Sequence, residues 1–309
     1  MRRIIVVVPV LAVLAGASAC QQTRETPAVS QAADHERDVM QWRAKRLASL
    51  TSESGWLTLI GLDWLHEGEN RVGSEKSSDV VLPPKVAASC GTLLLAGGKT
   101  MFTPDPNAAL LVDGKRLTAP IELHNDTEES GPTIVHAGPV TFQVIKRNDR
   151  YALRVKDKES AARAHFLGLE YFPVDPKWRI EATFEPYNPP KKVAITNVLG
   201  MTSDEIAPGV LAFTVNGKSY RVEPILEQGE KDLFIIFKDD TAGKETYAAA
   251  RYLYAHPPGA DGKVIVDFNK AYNPPCAFTP FATCPLPPPQ NRLPFRIEAG
   301  EKKYAGGHG

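Results

Sequence analysis

From Asp34 to Leu50 the apolar residues recur at a helical period. Val39, Trp42, Leu47 and Leu50 form the stripe, and Arg43, Lys45 and Arg46 lie off it. Asp34 is a capping residue type, so the pattern predicts a helix over 34–50. The period then changes. Gly55 to Leu65 is apolar, glycine-bounded and carries Trp56 and Trp64, which predicts a buried strand or strand pair. Downstream, Asp113-Gly114 separates Ala109–Val112 from Lys115–Leu117, and Asn216-Gly217 separates Leu211–Val215 from Lys218–Val222. Asp-Gly and Asn-Gly supply the positive φ angles of a type I′ turn, so each predicts a hairpin. Further strands are expected at Thr133–Val135, Val140–Lys146, Tyr151–Lys156, Arg179–Phe184, Lys192–Asn197, Leu233–Phe237, Val264–Phe268 and Phe295–Ile297. The reading is mainly β: an N-terminal helix, then a β-sandwich, then a second β-rich sandwich or barrel-like half. The units are expected at 34–130 and 131–309, with a Pro-rich loop over 273–294.

The first twenty residues follow another logic. Arg2 and Arg3 precede an apolar run, Ile4–Leu14, that is too short to span a bilayer. Small residues then lead into Cys20, so residues 1–19 are expected to be a removable leader. The run Ala17-Ser18-Ala19-Cys20 resembles a bacterial lipobox, which implies cleavage before Cys20 and a lipid on its thiol. Gln21 and Gln22, with no Asp at the second mature position, resemble outer-membrane sorting. The expectation is an exported chain, lipid-anchored through Cys20 and facing the periplasm. Residues 20–33 are polar and read as a flexible tether.

Composition narrows the function. The chain of 309 residues has 36 basic and 36 acidic residues, and losing Arg2 and Arg3 leaves 34 against 36. That balance excludes a strongly basic nucleic-acid binder. The 26 prolines disfavour a helical bundle. No G-x-S-x-G elbow, H-E-x-x-H helix, P-loop or dinucleotide fingerprint occurs. The seven histidines are scattered without metal-ligand spacing, so neither a metal nor a cofactor is expected.

Within the first half, Asn70-Arg71-Val72-Gly73-Ser74, Asp79–Leu82, Gly91–Leu95 and Val112–Leu117 resemble a forkhead-associated sandwich over roughly 50 residues. Ser74 stands where that family has an arginine, so its phosphothreonine-reading residues do not carry over.

The densest polar constellation is C-terminal. It runs through Asp239-Asp240-Thr241, Thr246-Tyr247, Arg251-Tyr252, Asp267–Cys276, Cys284–Pro288, Asn291–Leu293 and Ala299–Lys302. With the Gly55-Trp56 segment and Phe166–Pro173, it resembles the domain-of-unknown-function family numbered 1684, a family with no established activity to carry over. Asp267 and Asn269 are two apart and would share one strand face; Tyr247 and Arg251 are four apart and would share one face of either a strand or a helix. Arg251 is the expected mate of Asp267, with Asn273, Arg154 and Arg163 nearby. Such a cluster suits a small polar or anionic ligand, or equally a network that ties down a long loop. Cys276 and Cys284 enclose seven residues, and a disulfide, two free thiols and a metal pair all stay open. Three functional readings follow. The first is an anchored binder of a small polar or anionic ligand, using Asp267, Asn269, Asn273, Arg251, Tyr247, Arg154 and Arg163. The second is a hydrolase with Asp267 as base and Arg251 as stabiliser. The third is an accessory module that docks an unidentified protein partner.

Overall fold

The computed structural model describes residues 27–307; the leader and Cys20 lie outside them. Helix α1 spans Pro27–Thr51 and so begins seven residues before Asp34. Proline is accommodated in a first helical turn, and Ala28, Ala32 and Ala33 are strong helix formers, so the second half of the expected tether is helical. No helix among the described residues is long and apolar enough to cross a membrane.

After a 3₁₀ turn at Trp56–Thr58, eleven strands form a two-layer sandwich. They are β1 (Leu59–Trp64), β2 (Gly68–Gly73), β3 (Val80–Val81), β4 (Gly91–Ala96), β5 (Lys99–Pro104), β6 (Leu110–Val112), β7 (Lys115–Arg116), β8 (Ile121–Glu122), β9 (Val135–Ala137), β10 (Val140–Arg147) and β11 (Arg150–Asp157). One sheet has the order β1-β11-β10-β9-β6-β7, the other β3-β2-β4-β5-β8. Asp113 and Gly114 both take positive φ between β6 and β7, as the hairpin pattern predicts. Phe102 and Phe142 meet edge to face at 5.5 Å in the sandwich core. Because β9, β10 and β11 complete the sheet begun by β1, the sandwich closes at Asp157. Position 130/131 lies between β8 and β9, among the strands of the sandwich.

The second half follows a short helix, α2 (Ala161–Ala164). Strands β12 (Arg179–Thr196), β13 (Thr202–Val215), β14 (Lys218–Val222) and β17 (Lys263–Asp267) form a sheet ordered β14-β13-β12-β17. Strands β15 (Leu233–Phe237) and β16 (Arg251–Ala255) pair separately. Asn216-Gly217 makes the β13–β14 turn with both φ positive. Two expected strands, 179–184 and 192–197, are one strand. Its pairing with β13 shifts register between Pro186 and Lys191, where prolines cannot donate to the ladder. Phe295–Ile297 joins no sheet, because the Ile297 amide donates to Asp239 Oδ2 at 2.8 Å instead of to a neighbouring strand. Trp178, Phe213 and Phe237 surround the fully buried Phe268.

The halves share packing. Period-two alternation sends Tyr151, Leu153 and Val155 of β11 into the sandwich core. It turns Ala152, Arg154 and Lys156 to the outer face. The C-terminal half covers that face: Thr279 Oγ1 donates to the Leu59 carbonyl at 3.0 Å, and Leu59 packs in one cluster with Phe234, Tyr252, Cys276 and Cys284.

Candidate functional site

The expected C-terminal cluster resolves into separate structural ties. Arg251 is 1% exposed and pairs with Asp239 at 2.9 Å, not with Asp267; it also donates to the carbonyls of Ile297 and Ala299. Asp267 ends β17 and caps the 3₁₀ turn Phe268–Lys270, accepting from the Asn269 amide and Nδ2 at 3.1 and 2.9 Å. Asp267 and Asn269 therefore meet through a cap, not through a shared strand face. The other Asp267 oxygen lies 2.8 Å from His35 Nε2 on α1, a histidine that spacing alone left unassigned. Asn269 holds the backbone of Asp175 through both ends of its amide. Asn273 Nδ2 donates to the Lys302 carbonyl, and Tyr247 O–H donates to the Cys276 carbonyl at 3.1 Å. Arg163 donates to the carbonyls of Thr51 and Lys158, bracing α2 against the end of α1. Of the arginines named from sequence, only Arg154 is left without such a tie.

Arg154 opens onto a cleft of about 600 Å³ between α1, the outer face of the sandwich sheet and the Pro-rich loop. Four cations border it (Lys45, Arg46, Arg147 and Arg154) against one acid, Glu227. Two of the cations are engaged. Arg46 donates to the fully buried Glu301 and to the Asn273 carbonyl, and lies 4.7 Å over the Tyr272 ring. Arg147 pairs with Asp126 at 2.9 Å and donates to Thr283 Oγ1 at 3.0 Å. Arg154 is different: it is 8% exposed, its Nε is buried with no hydrogen-bond partner, and its guanidinium makes no ion pair among the described residues. Burial, then the neighbouring Arg147, lowers its pKa to about 10, so it stays cationic at neutral pH.

The walls are aromatic. Arg154 stands 5.3 Å over Trp56, which Lys156 approaches from 5.5 Å. Phe234, Tyr254 and Tyr272 stack in sequence at centroid spacings of 4.9 and 6.3 Å, and Trp42 continues the row 6.2 Å from Tyr272. Tyr254 O–H donates to Glu227, whose carboxyl is held above its ordinary value by burial. None of Trp42, Arg46, Trp56, Arg147, Glu227, Phe234, Tyr254 and Tyr272 was singled out as a ligand contact from sequence. They come from four separate stretches of chain, and no spacing rule links them.

The floor of the cleft carries Cys284. Cys276 and Cys284 are free, buried thiols, and the Cys276 amide lies 3.1 Å from Cys284 Sγ. The Cys276 thiol is lowered, first by the thiol of Cys284 and then by Tyr247, while burial pushes Cys284 up. Cys90 stands apart, fully buried and with its thiol pushed up to about 11. No group of three or more potential metal ligands occurs among the described residues.

Comparison with known proteins adds a family without an activity. Residues 164–302 match the family described as "Protein of unknown function (DUF1684)". The forkhead-associated resemblance of the first half is not confirmed by these comparisons. No curated protein matches the chain. Among solved structures, an uncharacterized protein of Haloarcula marismortui is 32% identical over 47% of this chain and 80% of its own, with a TM-score of 0.40.

Proposed function

We propose, for a chain whose residues 164–302 belong to this family of unknown function, that the cleft under α1 binds a small anion carrying a flat or ring-shaped body. The observation that carries this reading is Arg154. The side chain is largely buried and its guanidinium has no protein acceptor among the described residues, so an anion in the cleft would supply the partner that the chain does not. Its planar fork suits carboxylate or phosphate. The aromatic row suits the apolar face of a ring, and Glu227 at the rim offers an acceptor to a ligand hydroxyl or amine. The Asp267 hydrolase reading lacks such support, because that carboxylate is occupied by His35 and Asn269. The leader and Cys20 extend the proposal to an exported binder tethered by lipid. An unmodified Cys20 in mass spectra of the membrane fraction would overturn that extension.

The test uses the purified full chain in detergent. Trp42 and Trp56 border the cleft, so their fluorescence reports occupancy. Phenyl phosphate and benzoate are expected to quench it and raise the melting temperature, and benzyl alcohol to do far less. Arg154→Met is expected to lose the response to the anions while remaining folded. Equal responses from wild type and variant would sink the proposal.

A further inference from the structure

We propose that Cys276 and Cys284 are a reversible dithiol–disulfide couple that meets the Arg154 cleft through Cys284, and that ligand occupancy and the redox state of the pair are coupled. The coupling rests on the binding reading above; the couple itself does not. The two cysteines lie eight positions apart at the ends of one loop, and their contact is direct, with the amide of one 3.1 Å from the sulfur of the other. They are 9% and 4% exposed, so the pair is shielded from bulk solvent, yet Cys284 reaches the cleft wall. The roles divide. Cys276, with the lowered thiol, supplies the thiolate; Cys284, with the raised one, is the resolving thiol.

The chemistry needs an external low-molecular-weight disulfide. The Cys276 thiolate attacks one of its sulfurs, the external S–S bond breaks, and one external thiolate leaves. Cys284 then gives up its proton and attacks the Cys276 sulfur of the mixed disulfide, expelling the second external thiolate. Two protein thiols are oxidised, one external disulfide is reduced to two thiols, and the two protein protons end on them. The bridged loop also carries Thr283, which receives a hydrogen bond from Arg147 Nε. Arg147 is in turn a like charge that acts on Arg154. Closing the bridge thus acts on the wall that holds the anion, and by reciprocity a bound anion changes how readily the bridge closes.

The experiment treats native full chain with 2-hydroxyethyl disulfide and follows it by peptide mass spectrometry, with and without saturating phenyl phosphate. A peptide cross-linked through Cys276 and Cys284 is expected, formed several-fold more slowly when the cleft is occupied. Cys284→Ser should trap hydroxyethyl thiol on Cys276, and Cys276→Ser should trap little. Native wild type that forms no cross-link overturns the couple, whatever the variants do. Cross-linking indifferent to phenyl phosphate, when that same probe quenches tryptophan fluorescence, overturns the coupling. If the probe fails to quench, the binding reading fails and the coupling with it, and the cross-link alone decides the couple.

Discussion

Two arginines with nearly equal burial have opposite roles. Arg251 donates through both terminal nitrogens to Asp239 and two carbonyls, so Arg251→Ala strands a buried carboxylate and should cost about 3–5 kcal/mol in urea denaturation. Arg154 strands nothing, so Arg154→Met should leave stability within about 1 kcal/mol of wild type or raise it. A large loss in Arg154→Met would make that residue scaffold and remove the basis of the binding site. Glu227 gives a pH test. Burial raises its folded pKa above the unfolded value near 4.5, so the folded chain takes up this proton at higher pH than the unfolded chain. The stability it contributes is fully present below the unfolded value and is lost as pH rises through the folded one. Wild type should therefore weaken relative to Glu227→Gln as pH climbs from about 4.5 toward neutrality. Parallel profiles for the two proteins would refute this assignment. At this scale the sequence was half legible. It marks Asp267, Asn269 and Arg251 as a polar cluster, but partner choice depends on chain crossings: Asp239 arrives at Arg251 from the end of the paired strand β15.

Helix α1 shows how an element acquires a second use. Its stripe was readable in part: Val39 and Leu50 are fully buried, whereas Leu47 is exposed. The sequence places the arginines off this stripe and assigns them no partner. In the structure their long stems reach sideways: Arg43 lies 4.2 Å over Tyr171 and donates to the Phe172 carbonyl, while Arg46 pairs with Glu301. Periodicity reports which face is apolar and is silent about where a flexible charged tip will land. With His35–Asp267 and Lys270–Asp38, these ties lock α1 across the second half as one roof of the cleft. Arg46→Met should thus destabilise by about 3–5 kcal/mol, because Glu301 is fully buried and would lose its cation. Denaturation midpoints equal to wild type would show that Glu301 is satisfied by Tyr171 and the Asn273 amide alone.

At the scale of the whole molecule, the two β-rich halves expected from turn signals are present, but they do not read as independent bodies. One apolar cluster joins Leu59 to Phe234 and Cys284, and another joins Leu50 and Leu57 to Ala277 and Phe278. Calorimetry should therefore show a single unfolding transition; two separated peaks would mean that the shared clusters contribute little. Strand pairing between β1 and β11 spans nearly a hundred residues, and no local pattern encodes a contact of that separation.

The seam between the halves also divides the inheritance of the cleft. Tyr254, Tyr272 and Cys284 lie inside the stretch 164–302 that the family model recognises, whereas Trp42, Trp56, Arg147 and Arg154 come before it. Tyrosine rings and sulfur thus travel with one module, and positive charge and the two tryptophans with the other. A chain that carried only the recognised stretch would keep a hydrophobic seat with no counter-ion. Grafting a different sandwich onto the same seat would change the charge of the accepted molecule without touching the surface on which its ring rests.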